Sequence, residues 1–411
     1  MPVERAINRR SFLATAAAGT GALAFPAVLR AQAADPIRVG FPIPLTGTLA
    51  ALANDLQRGG ILGMEEINAR GGIMGRKLEV LFRDDQLKPA VGAQRTKELI
   101  ESDKVQFVVG GLAAHVQMAI NEQTKKSKVL FISLSQSDEI SAKPDTSPIT
   151  FHEALNPTIT CRALGTWVAQ NLGKKWWIIY ADYAWGKQCN AVLTETLKRH
   201  GGTVLGATPY PFGNAEFSAH LPKIQAARPE VLMNAAPGAD NIAFLKQAIG
   251  FGMKQQMKIA QPLHWLVYAK EGGPDVYADV YGAINFYWEL EGQNAKAKQF
   301  VAAFRKRFTM PPGDYAAYGY SGLLELARGI ELAKSTESDA VAKALRASPT
   351  YDHYKGKQWW RACDNKAFQD LFIVRGREPG KTSGEWGVLE VAGKVPANEE
   401  LDRTCAEKGL A

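Results

Sequence analysis

Apolar positions follow two alternating spacings along the chain, and the first complete unit of this pattern lies at residues 37–85. Residues 37–41 form a short apolar run that ends at prolines, which cannot continue a central strand ladder. Across residues 49–67, apolar and small residues recur at the spacing of one helix face. Residues 78–82 form a second apolar run. This order predicts a parallel, right-handed βαβ unit, with the helix glycines explained by close packing on the sheet.

The same rhythm continues through the next two thirds of the chain. Further strands are predicted at 105–109, 129–133, 176–180, 203–210, 231–234 and 368–374. Further helices are predicted at 89–101, 113–126, 159–172, 186–200, 217–227, 241–251, 295–308 and 316–334. Two successive runs of alternating elements indicate an α/β protein with two doubly wound, parallel-sheet lobes. Two lobes of this kind can open and close around a cleft between them.

The loop after the first strand is the first candidate binding element. In open parallel sheets, ligands bind beyond the carboxyl ends of the strands, so Thr46 and Gly47 are candidate pocket residues. The loop contains neither G-x-G-x-x-G nor a Walker lysine, which argues against a dinucleotide or a nucleoside triphosphate. We therefore expect a small ligand that is not bound through a phosphate group, and we expect no cofactor.

Three stretches resemble one family of receptors: F-P-I-P-L-T-G, G-M-E-E-I-N-A-R-G-G-I-M-G-R-K-L-E-V and R-D-D-Q-L-K-P-A. They are similar to the start of the Leu/Ile/Val-binding family of bacterial periplasmic solute receptors. The resemblance is close over residues 37–151 and looser to about residue 333. It implies the type I periplasmic binding fold, with a three-segment hinge crossing at 151–154, 283–288 and 356–361. Lobe 1 would hold residues 35–153 and 289–357, and lobe 2 residues 154–288 and 358–411.

Two turns in the first lobe carry candidate ligand contacts. The first turn opens a helix, whose unpaired N–H groups attract a carboxylate; the second follows the next strand. The family usually places a serine where this chain has Ala114. Ser135 and Ser137 match family positions that touch the ligand, although the residues alone fit ordinary turn capping. His115 fits an anion partner and a satisfied surface histidine equally well. The candidates are Leu112, Ala113, Ala114, His115, Ser135, Gln136 and Ser137.

The second lobe contributes candidates at three strand ends. Trp185 falls where the family often has a tyrosine that covers the ligand, although a lone tryptophan is more often a core residue. Amino-acid binders carry an acid near the position of Leu263, and this chain does not. A shifted alignment would offer Asp182, Asp240 or Glu289 to a ligand ammonium instead. The candidates are Tyr183, Trp185, Asn234, Gly238, Leu263 and His264.

These positions predict the chemistry of the ligand. A buried ammonium without a partner is unfavourable. We therefore expect a carboxylate or amide on an apolar or aromatic body, with no necessary α-ammonium.

The N-terminal segment has the features of an export signal. Arg9 and Arg10 precede an apolar run rich in alanine and glycine, and A-Q-A at residues 31–33 fits a cleavage site. This pattern predicts a twin-arginine signal cleaved after Ala33. The run falls short of the ~20 strongly apolar residues of a spanning helix. We expect a mature periplasmic protein without membrane insertion.

The charge and the cysteines bear on nucleic-acid binding, on disulfide bonds and on metal sites. The net charge of +8 comes from mixed acids and bases, with no basic block interleaved with aromatics, so nucleic acid is not indicated. Four cysteines allow three pairings, and their order suggests Cys161 with Cys189 and Cys363 with Cys405. The chain has no C-x-x-C and no neighbouring histidine pair, which argues against a metal site.

Three functions remain. The resemblance implies a monomeric, non-enzymatic receptor that captures a small organic ligand and delivers it to the membrane permease of an ABC importer. The second is a sensor that signals to a regulator or chemoreceptor with the same pocket chemistry. The third is an exported enzyme, against which the chain has no G-x-S-x-G elbow and no H-E-x-x-H helix.

Overall fold

The computed structural model describes residues 35–410. The predicted export signal and its cleavage after Ala33 lie outside these residues. The helices are α1 (Ala50–Ala69), α2 (Pro89–Glu101), α3 (Ala114–Ser127), α4 (Pro157–Asn171), α5 (Ala184–Arg199), α6 (Leu221–Ala227), α7 (Ala239–Gly250), α8 (Leu266–Tyr277), α9 (Ala295–Phe308), α10 (Asp314–Ala333) and α11 (Ser338–Arg346). None of these helices combines the length and the apolar character that crossing a bilayer requires.

The strands form two sheets. They are β1 (Ile37–Ile43), β2 (Leu78–Asp84), β3 (Phe107–Gly110), β4 (Leu130–Ser133), β5 (Thr150–His152), β6 (Lys175–Ala181), β7 (Thr203–Tyr210), β8 (Val231–Ala235), β9 (Lys258–Gln261), β10 (Val280–Ile284), β11 (Tyr351–His353), β12 (Gly356–Arg361), β13 (Lys366–Phe368), β14 (Leu371–Gly376) and β15 (Leu389–Val395). The first sheet has the order β11-β12-β13-β5-β4-β3-β1-β2, and the second β15-β14-β10-β9-β8-β6-β7.

Both sheets are parallel at their centres and antiparallel at one edge. Strands β1 to β5 pair in parallel, as do β6 to β10. Helices α1, α2, α3, α10 and α11 contact the first sheet, whereas α4, α5, α6 and α8 contact the second. We call each sheet with its helices the first half and the second half. The predicted α/β class is confirmed, with the refinement that both sheets are mixed.

The opening βαβ unit is present, and its helix explains the glycines that a helix normally disfavours. A Cβ at Gly59 would lie 1.9 Å from the carbonyl oxygen of Ala316, and one at Gly319 would lie 2.0 Å from that of Leu56. Helices α1 and α10 therefore cross with their backbones in contact. Only Gly60 faces the sheet, against Phe41 and Phe82. The predicted close packing exists, but most of it is made with α10 and not with the sheet.

The chain passes between the sheets three times, and the third passage differs from the prediction. The passages follow β5, β10 and β13. Residues 356–361, predicted as a crossing, form β12 of the first sheet. The hairpin β12-β13 stays there because Lys366 pairs with His152 of β5 and the Trp360 ring packs edge-on against Phe151 at 5.1 Å. The third passage therefore lies at residues 369–370, and Phe368 belongs to β13 and not to a strand of the second sheet.

A cluster of buried charges lies beside these passages. It consists of Arg361, Asp364, Asp402 and Lys408, which we call the ion cluster. Lys408 Nζ lies 2.6 Å from Asp364 Oδ2 and 2.6 Å from Asp402 Oδ2. Arg361 Nη2 contacts the same two carboxylates at 2.6 and 2.7 Å. The Lys408 charge pulls the pKa of Asp402 down to about 2, against the opposing effect of burial.

The segment at residues 398–410 contacts both halves. Arg162 of α4 donates to the Asp402 carbonyl at 2.8 Å, and Arg403 donates to the Asp138 carbonyl at 3.0 Å. A disulfide joins Cys363 to Cys405. The suggested pairing of Cys161 with Cys189 differs from the structure, because both are buried free thiols. They pack between α4 and α5 as small apolar side chains.

Candidate functional site

The carboxyl ends of the parallel strands of the two halves enclose a cavity of about 20 Å³, which we call the cleft. Its walls combine residues of both halves. They are Leu49, Leu52, Leu112, Ala114, Gln136, Tyr183, Trp185, Pro237, Leu263, Trp265 and Tyr315. A space of this size holds about one water molecule. A ligand with a ring therefore requires the two walls to move apart.

Helix starts dominate the walls of the cleft. Leu49, Tyr183 and Trp265 each precede the first residue of a helix, and Ala114 and Tyr315 stand in the first turns of α3 and α10. The first N–H groups of a helix have no partner within it, and its dipole places partial positive charge there. Several helix starts around one cavity favour a negatively charged ligand group.

Aromatic rings form most of the second-half wall. The Tyr183 ring lies 6.2 Å from Trp185, which lies 6.0 Å from Trp265. Tyr183 also stacks on Phe212 at 4.5 Å. Across the cleft, His115 meets the edges of Tyr183 and Phe212 at 5.6 and 6.4 Å. Such rings offer flat apolar surfaces that suit an aromatic or aliphatic body.

The polar groups of the walls are few and carry no charge. None of the eleven residues that form the cleft is acidic or basic. Besides the two tyrosine hydroxyls, the walls offer the Gln136 amide and the Trp265 indole N–H, and both of these side chains are buried. The Tyr315 hydroxyl interacts with both side chains, and burial raises its pKa far above the usual value.

Direct hydrogen bonds hold the two halves together at the cleft. The carbonyl of Thr48 accepts from the Tyr268 hydroxyl at 2.8 Å and from Ala239 N–H at 3.4 Å. We call these two contacts the latch. Leu266 N–H also donates to Asp314 Oδ1 at 3.4 Å. Gly238 has φ +63° and a Cβ there would lie 2.6 Å from the Thr48 oxygen, so this approach requires glycine.

Buried acids stand behind the walls. Asp314 and Asp55 lie on the crossed helices α10 and α1, and burial raises the pKa of Asp314 well above its usual value and that of Asp55 to about 6. Burial likewise raises the pKa of Asp240 to about 6. Asp55 Oδ2 accepts from Ala316 N–H at 2.8 Å, and Asp240 Oδ2 accepts from Gly213 N–H at 2.9 Å. These carboxyls are engaged within the protein and do not line the cleft.

The structure brings six of the predicted residues to the walls of the cleft. They are Leu112, Ala114, Gln136, Tyr183, Trp185 and Leu263. Two more stand immediately beside them, because Ala113 precedes α3 and Gly238 contacts Thr48.

The other six predicted residues lie outside the walls. Thr46 Oγ1 donates to Asp84, and His115 Nε2 lies 3.1 Å from the Leu87 carbonyl. Ser135 Oγ donates to the Leu112 carbonyl at 2.6 Å, and Ser137 Oγ donates to Glu139 at 2.6 Å.

The Ser137 hydroxyl thus bonds within its own turn, whereas the Ser135 hydroxyl bonds across to the turn that follows β3. Ligand contact by either serine stays a prediction. Asn234 Oδ1 accepts from Ala236 N–H. His264 packs on Tyr277 in the second half, where burial lowers its pKa to about 3.

The alternative partners for an ammonium also lie elsewhere. Asp182 pairs with exposed Lys187, and Glu289 pairs with Arg377.

Sequence reasoning missed five wall residues. They are Leu49, Leu52, Pro237, Trp265 and Tyr315. Trp265 had a usable signal, since it follows the predicted Leu263 and His264 directly. Tyr315 had none nearby, because the crossing of α1 and α10 brings it to the cleft.

Comparison with known proteins identifies a family and relatives with this architecture. A family model described as periplasmic binding protein matches residues 36–382. The Leu/Ile/Val-binding protein homolog 3 of Brucella melitensis biotype 1 is 26% identical over 318 residues, which are 75% of this chain and 83% of that protein.

Two solved structures share the fold. A periplasmic binding protein of Burkholderia mallei has a TM-score of 0.84 at 23% identity, covering 92% of this chain and 99% of that one. A solute binding protein of an ABC transporter of Rhodopseudomonas palustris BisB5, in complex with 3,4-dihydroxybenzoic acid, has a TM-score of 0.78 at 23% identity, covering 88% and 98%.

Proposed function

Because this chain belongs to the periplasmic binding protein family, we propose that it is a receptor that captures a small organic ligand in the cleft and delivers it to the permease of an ABC importer. In this proposal the first and second halves are two lobes that move about the three chain passages. The mature protein acts as a monomer in the periplasm after its signal is removed.

The latch is the observation that supports this proposal most directly. Thr48 in the first half accepts hydrogen bonds from Tyr268 and Ala239 in the second half, directly beside the cleft. Contacts of this kind form only when the two walls meet. A ligand that bridges the walls favours the closed form by its differential affinity for that form.

The wall chemistry supports binding over catalysis. The eleven wall residues include no acid, histidine, serine, cysteine or lysine, and burial raises the pKa of the two wall tyrosines, Tyr183 and Tyr315, which disfavours their ionised forms. The same walls lack an acid for an α-ammonium. We propose a ligand with an aromatic or apolar body and a carboxylate that meets the helix starts. The Brucella relative is named for branched-chain amino acids and the Rhodopseudomonas neighbour holds a dihydroxybenzoate, so both classes belong in the test.

Isothermal titration against leucine, glutamate, benzoate and 4-hydroxycinnamate tests the ligand class. We expect an aromatic acid to bind and leucine to bind far more weakly. Tight leucine binding with no response to aromatic acids would contradict the ligand class while leaving the receptor function intact. Thermal unfolding gives a second measurement, because ligand at one hundred times its dissociation constant adds about 2.7 kcal/mol.

Recovery of the ligand separates a receptor from an enzyme. After overnight incubation with the protein, mass spectrometry should return the bound ligand chemically unchanged. Conversion to a product would contradict the proposal. A sensor role would share the pocket chemistry, and reconstituted uptake with the permease would distinguish the two.

A further inference from the structure

The contact between Asp314 and α8 joins the two halves at a carboxyl group that is shielded from solvent. Asp314 is the first residue of α10 in the first half, and Leu266 is the first residue of α8 in the second. The Leu266 N–H donates to Asp314 Oδ1 at 3.4 Å, and Asp314 is 2% exposed. The surroundings of this carboxyl therefore change whenever the two halves part or meet.

The closed form disfavours a negative charge on this carboxyl. Within residues 35–410, no lysine or arginine forms an ion pair with Asp314, and the charged group that acts on it is a second buried acid, Asp55 of α1. Burial, followed by this neighbouring acid, raises the pKa of Asp314 well above its usual value. The Leu266 N–H favours the ionised form, but its effect is smaller than that of burial.

The other titratable groups around Asp314 do not neutralise such a charge. The groups that act on Asp314 or on its immediate neighbours are Asp55 and Arg58 of α1, Tyr268 of α8, and Tyr315 and Tyr318 of α10. The three tyrosines stay neutral, because burial raises the pKa of each. Arg58 acts on Asp55, whose pKa is about 6. Above that pH the Asp55 carboxylate opposes ionisation of Asp314.

We propose that Asp314 takes up a proton as the two halves close, so that ligand capture is coupled to proton uptake. This inference rests on the proposed receptor function. When the halves part, water replaces α8 beside the carboxyl, which then ionises. A neutral carboxyl meets α8 more favourably than a carboxylate does. Closure, and with it ligand affinity, therefore increases as the pH falls and decreases as the pH rises. Asp314 does not line the cleft, so it is a positioning residue for closure.

The proton can be counted by isothermal titration of benzoate and of leucine in buffers that differ in ionisation enthalpy. Both ligands keep one charge state between pH 6 and pH 8, so a proton taken up on binding goes to the protein. For the unmodified protein we expect net uptake at pH 7. The affinity should decrease from pH 6 to pH 8 by up to about 10-fold per pH unit, the limit for one proton.

The choice of pH 7 separates Asp314 from two other titratable groups near the cleft. Asp240 is mostly ionised at pH 7 even when it is buried, because its pKa is about 6. Burial lowers the pKa of His115, so closure around its ring releases a proton and cannot imitate uptake. Net uptake at pH 7 that an Asp314 variant removes is therefore assigned to Asp314.

Two substitutions separate protonation from packing. Asp314→Asn keeps an oxygen for the Leu266 N–H and cannot be protonated, so it should bind without proton uptake and with one affinity from pH 6 to pH 8. Asp314→Leu keeps the approximate size and removes the acceptor, so it should bind about 3- to 10-fold more weakly than the unmodified protein at pH 6. Asp240→Asn is the matched control and should keep the proton uptake. Thermal unfolding of each variant shows that the fold is retained.

The outcomes separate the inference from the receptor function. Binding of either acid without proton uptake at pH 7, or uptake that persists in Asp314→Asn, overturns the inference and leaves the receptor function standing. Uptake that Asp240→Asn removes also overturns it. If neither acid binds, the proposed ligand class fails, and small-angle scattering of the ligand-free protein still tests the inference. The unmodified protein should be more closed at pH 6 than at pH 8, and Asp314→Asn equally closed at both. Identical scattering of the unmodified protein at the two pH values overturns the proposal.

Discussion

The ion cluster and the cleft both bury polar groups, but only those of the ion cluster are charged. In the ion cluster, Lys408 and Arg361 each contact both Asp364 and Asp402, so every charge has two partners. In the cleft, the wall residues carry no charge, and the Tyr315 hydroxyl interacts with the neutral side chains of Gln136 and Trp265. The same protein interior therefore contains one set of paired charges and one set of neutral polar groups.

This difference shows how substitutions can separate effects on the free energy of unfolding from effects on ligand binding. Removing one member of a buried charge set leaves its partners unpaired, which is strongly destabilising. Removing a neutral polar atom leaves at most a neutral group unpaired, which costs less. Substitutions in the ion cluster should therefore lower the free energy of unfolding. Substitutions in the cleft should alter binding and leave stability nearly unchanged.

The largest effect is expected for Lys408→Met. This change removes a buried cation and leaves Asp364 and Asp402 with Arg361 alone, so the free energy of unfolding should fall by about 3–5 kcal/mol. Urea unfolding followed by tryptophan fluorescence measures the change. The control is Lys381→Met, whose exposed pair with Glu378 should contribute less than about 1 kcal/mol. Equal losses for the two variants would contradict the comparison.

The next largest effect concerns the disulfide that fixes the segment carrying Lys408. It closes a sequence separation of 42 residues, and its loss should cost about 2–4 kcal/mol. We expect reductant to destabilise the unmodified protein and to have no effect on the Cys363→Ser, Cys405→Ser double variant. If reductant still destabilises the double variant, then Cys161 and Cys189 form a bond in solution.

Asp402 of the ion cluster and Asp55, which lies behind the wall of the cleft, should make contributions to stability that respond to pH with opposite signs. The pKa of Asp402 is lowered to about 2, so its contribution is present above pH 3.8 and is lost as the pH falls towards 2. The pKa of Asp55 is raised to about 6, so the folded state retains a proton that the unfolded state releases. That contribution is present below pH 3.8 and is lost as the pH rises to about 6.

Urea unfolding of Asp402→Asn and Asp55→Asn between pH 2 and pH 7 checks both signs. Below pH 4, the stability of the Asp402→Asn variant should decrease less than that of the unmodified protein. Between pH 4 and pH 6, the stability of the Asp55→Asn variant should decrease less than that of the unmodified protein. Parallel pH profiles for the two variants and the unmodified protein would contradict the assignment.

The smallest effect is expected at the latch. Tyr268→Phe removes the hydrogen bond to the Thr48 carbonyl, which should weaken closure by about 1 kcal/mol and ligand affinity by about 5-fold. Titration and small-angle scattering with and without ligand measure these changes. Tyr277→Phe is the control, because its hydroxyl bonds Asn241 within the second half. It should reduce stability and leave closure unaffected, and the reverse pattern would contradict the latch.

Most of the fold could be predicted because its elements are specified locally. Strands β1 to β4 and β6 to β8, with the helices that follow them, match the local spacing of apolar residues, whereas β5 was predicted as a crossing and β9 was not predicted. The hairpin β12-β13 could not be placed, because its position depends on a pairing between Lys366 and His152 that are 214 residues apart. Hydrophobic spacing shows that a segment is extended but not which sheet edge it joins.

The wall residues that follow strand ends could be predicted from the sequence. Those that a distant helix contributes could not. Leu112, Ala114, Gln136 and Trp185 follow strand ends, which the βα rhythm locates. Tyr315 reaches the cleft only because α1 and α10 cross with backbone contact at Gly59 and Gly319. The serines were predicted as ligand contacts; in the structure the Ser137 hydroxyl bonds Glu139 in its own turn, and the Ser135 hydroxyl bonds the Leu112 carbonyl in the neighbouring turn. The residue types were informative, but the direction of each side chain depended on tertiary packing.

The latch has a consequence for how such a protein diversifies. Its acceptor is a main-chain carbonyl, which no substitution at position 48 can delete. One of its donors is a main-chain N–H as well. Part of the closing contact is therefore set by the path of the main chain, whereas Tyr268 and the side chains of the cleft walls can be exchanged. Single substitutions in the cleft can therefore change the ligand specificity while the main-chain contact between the two halves is kept.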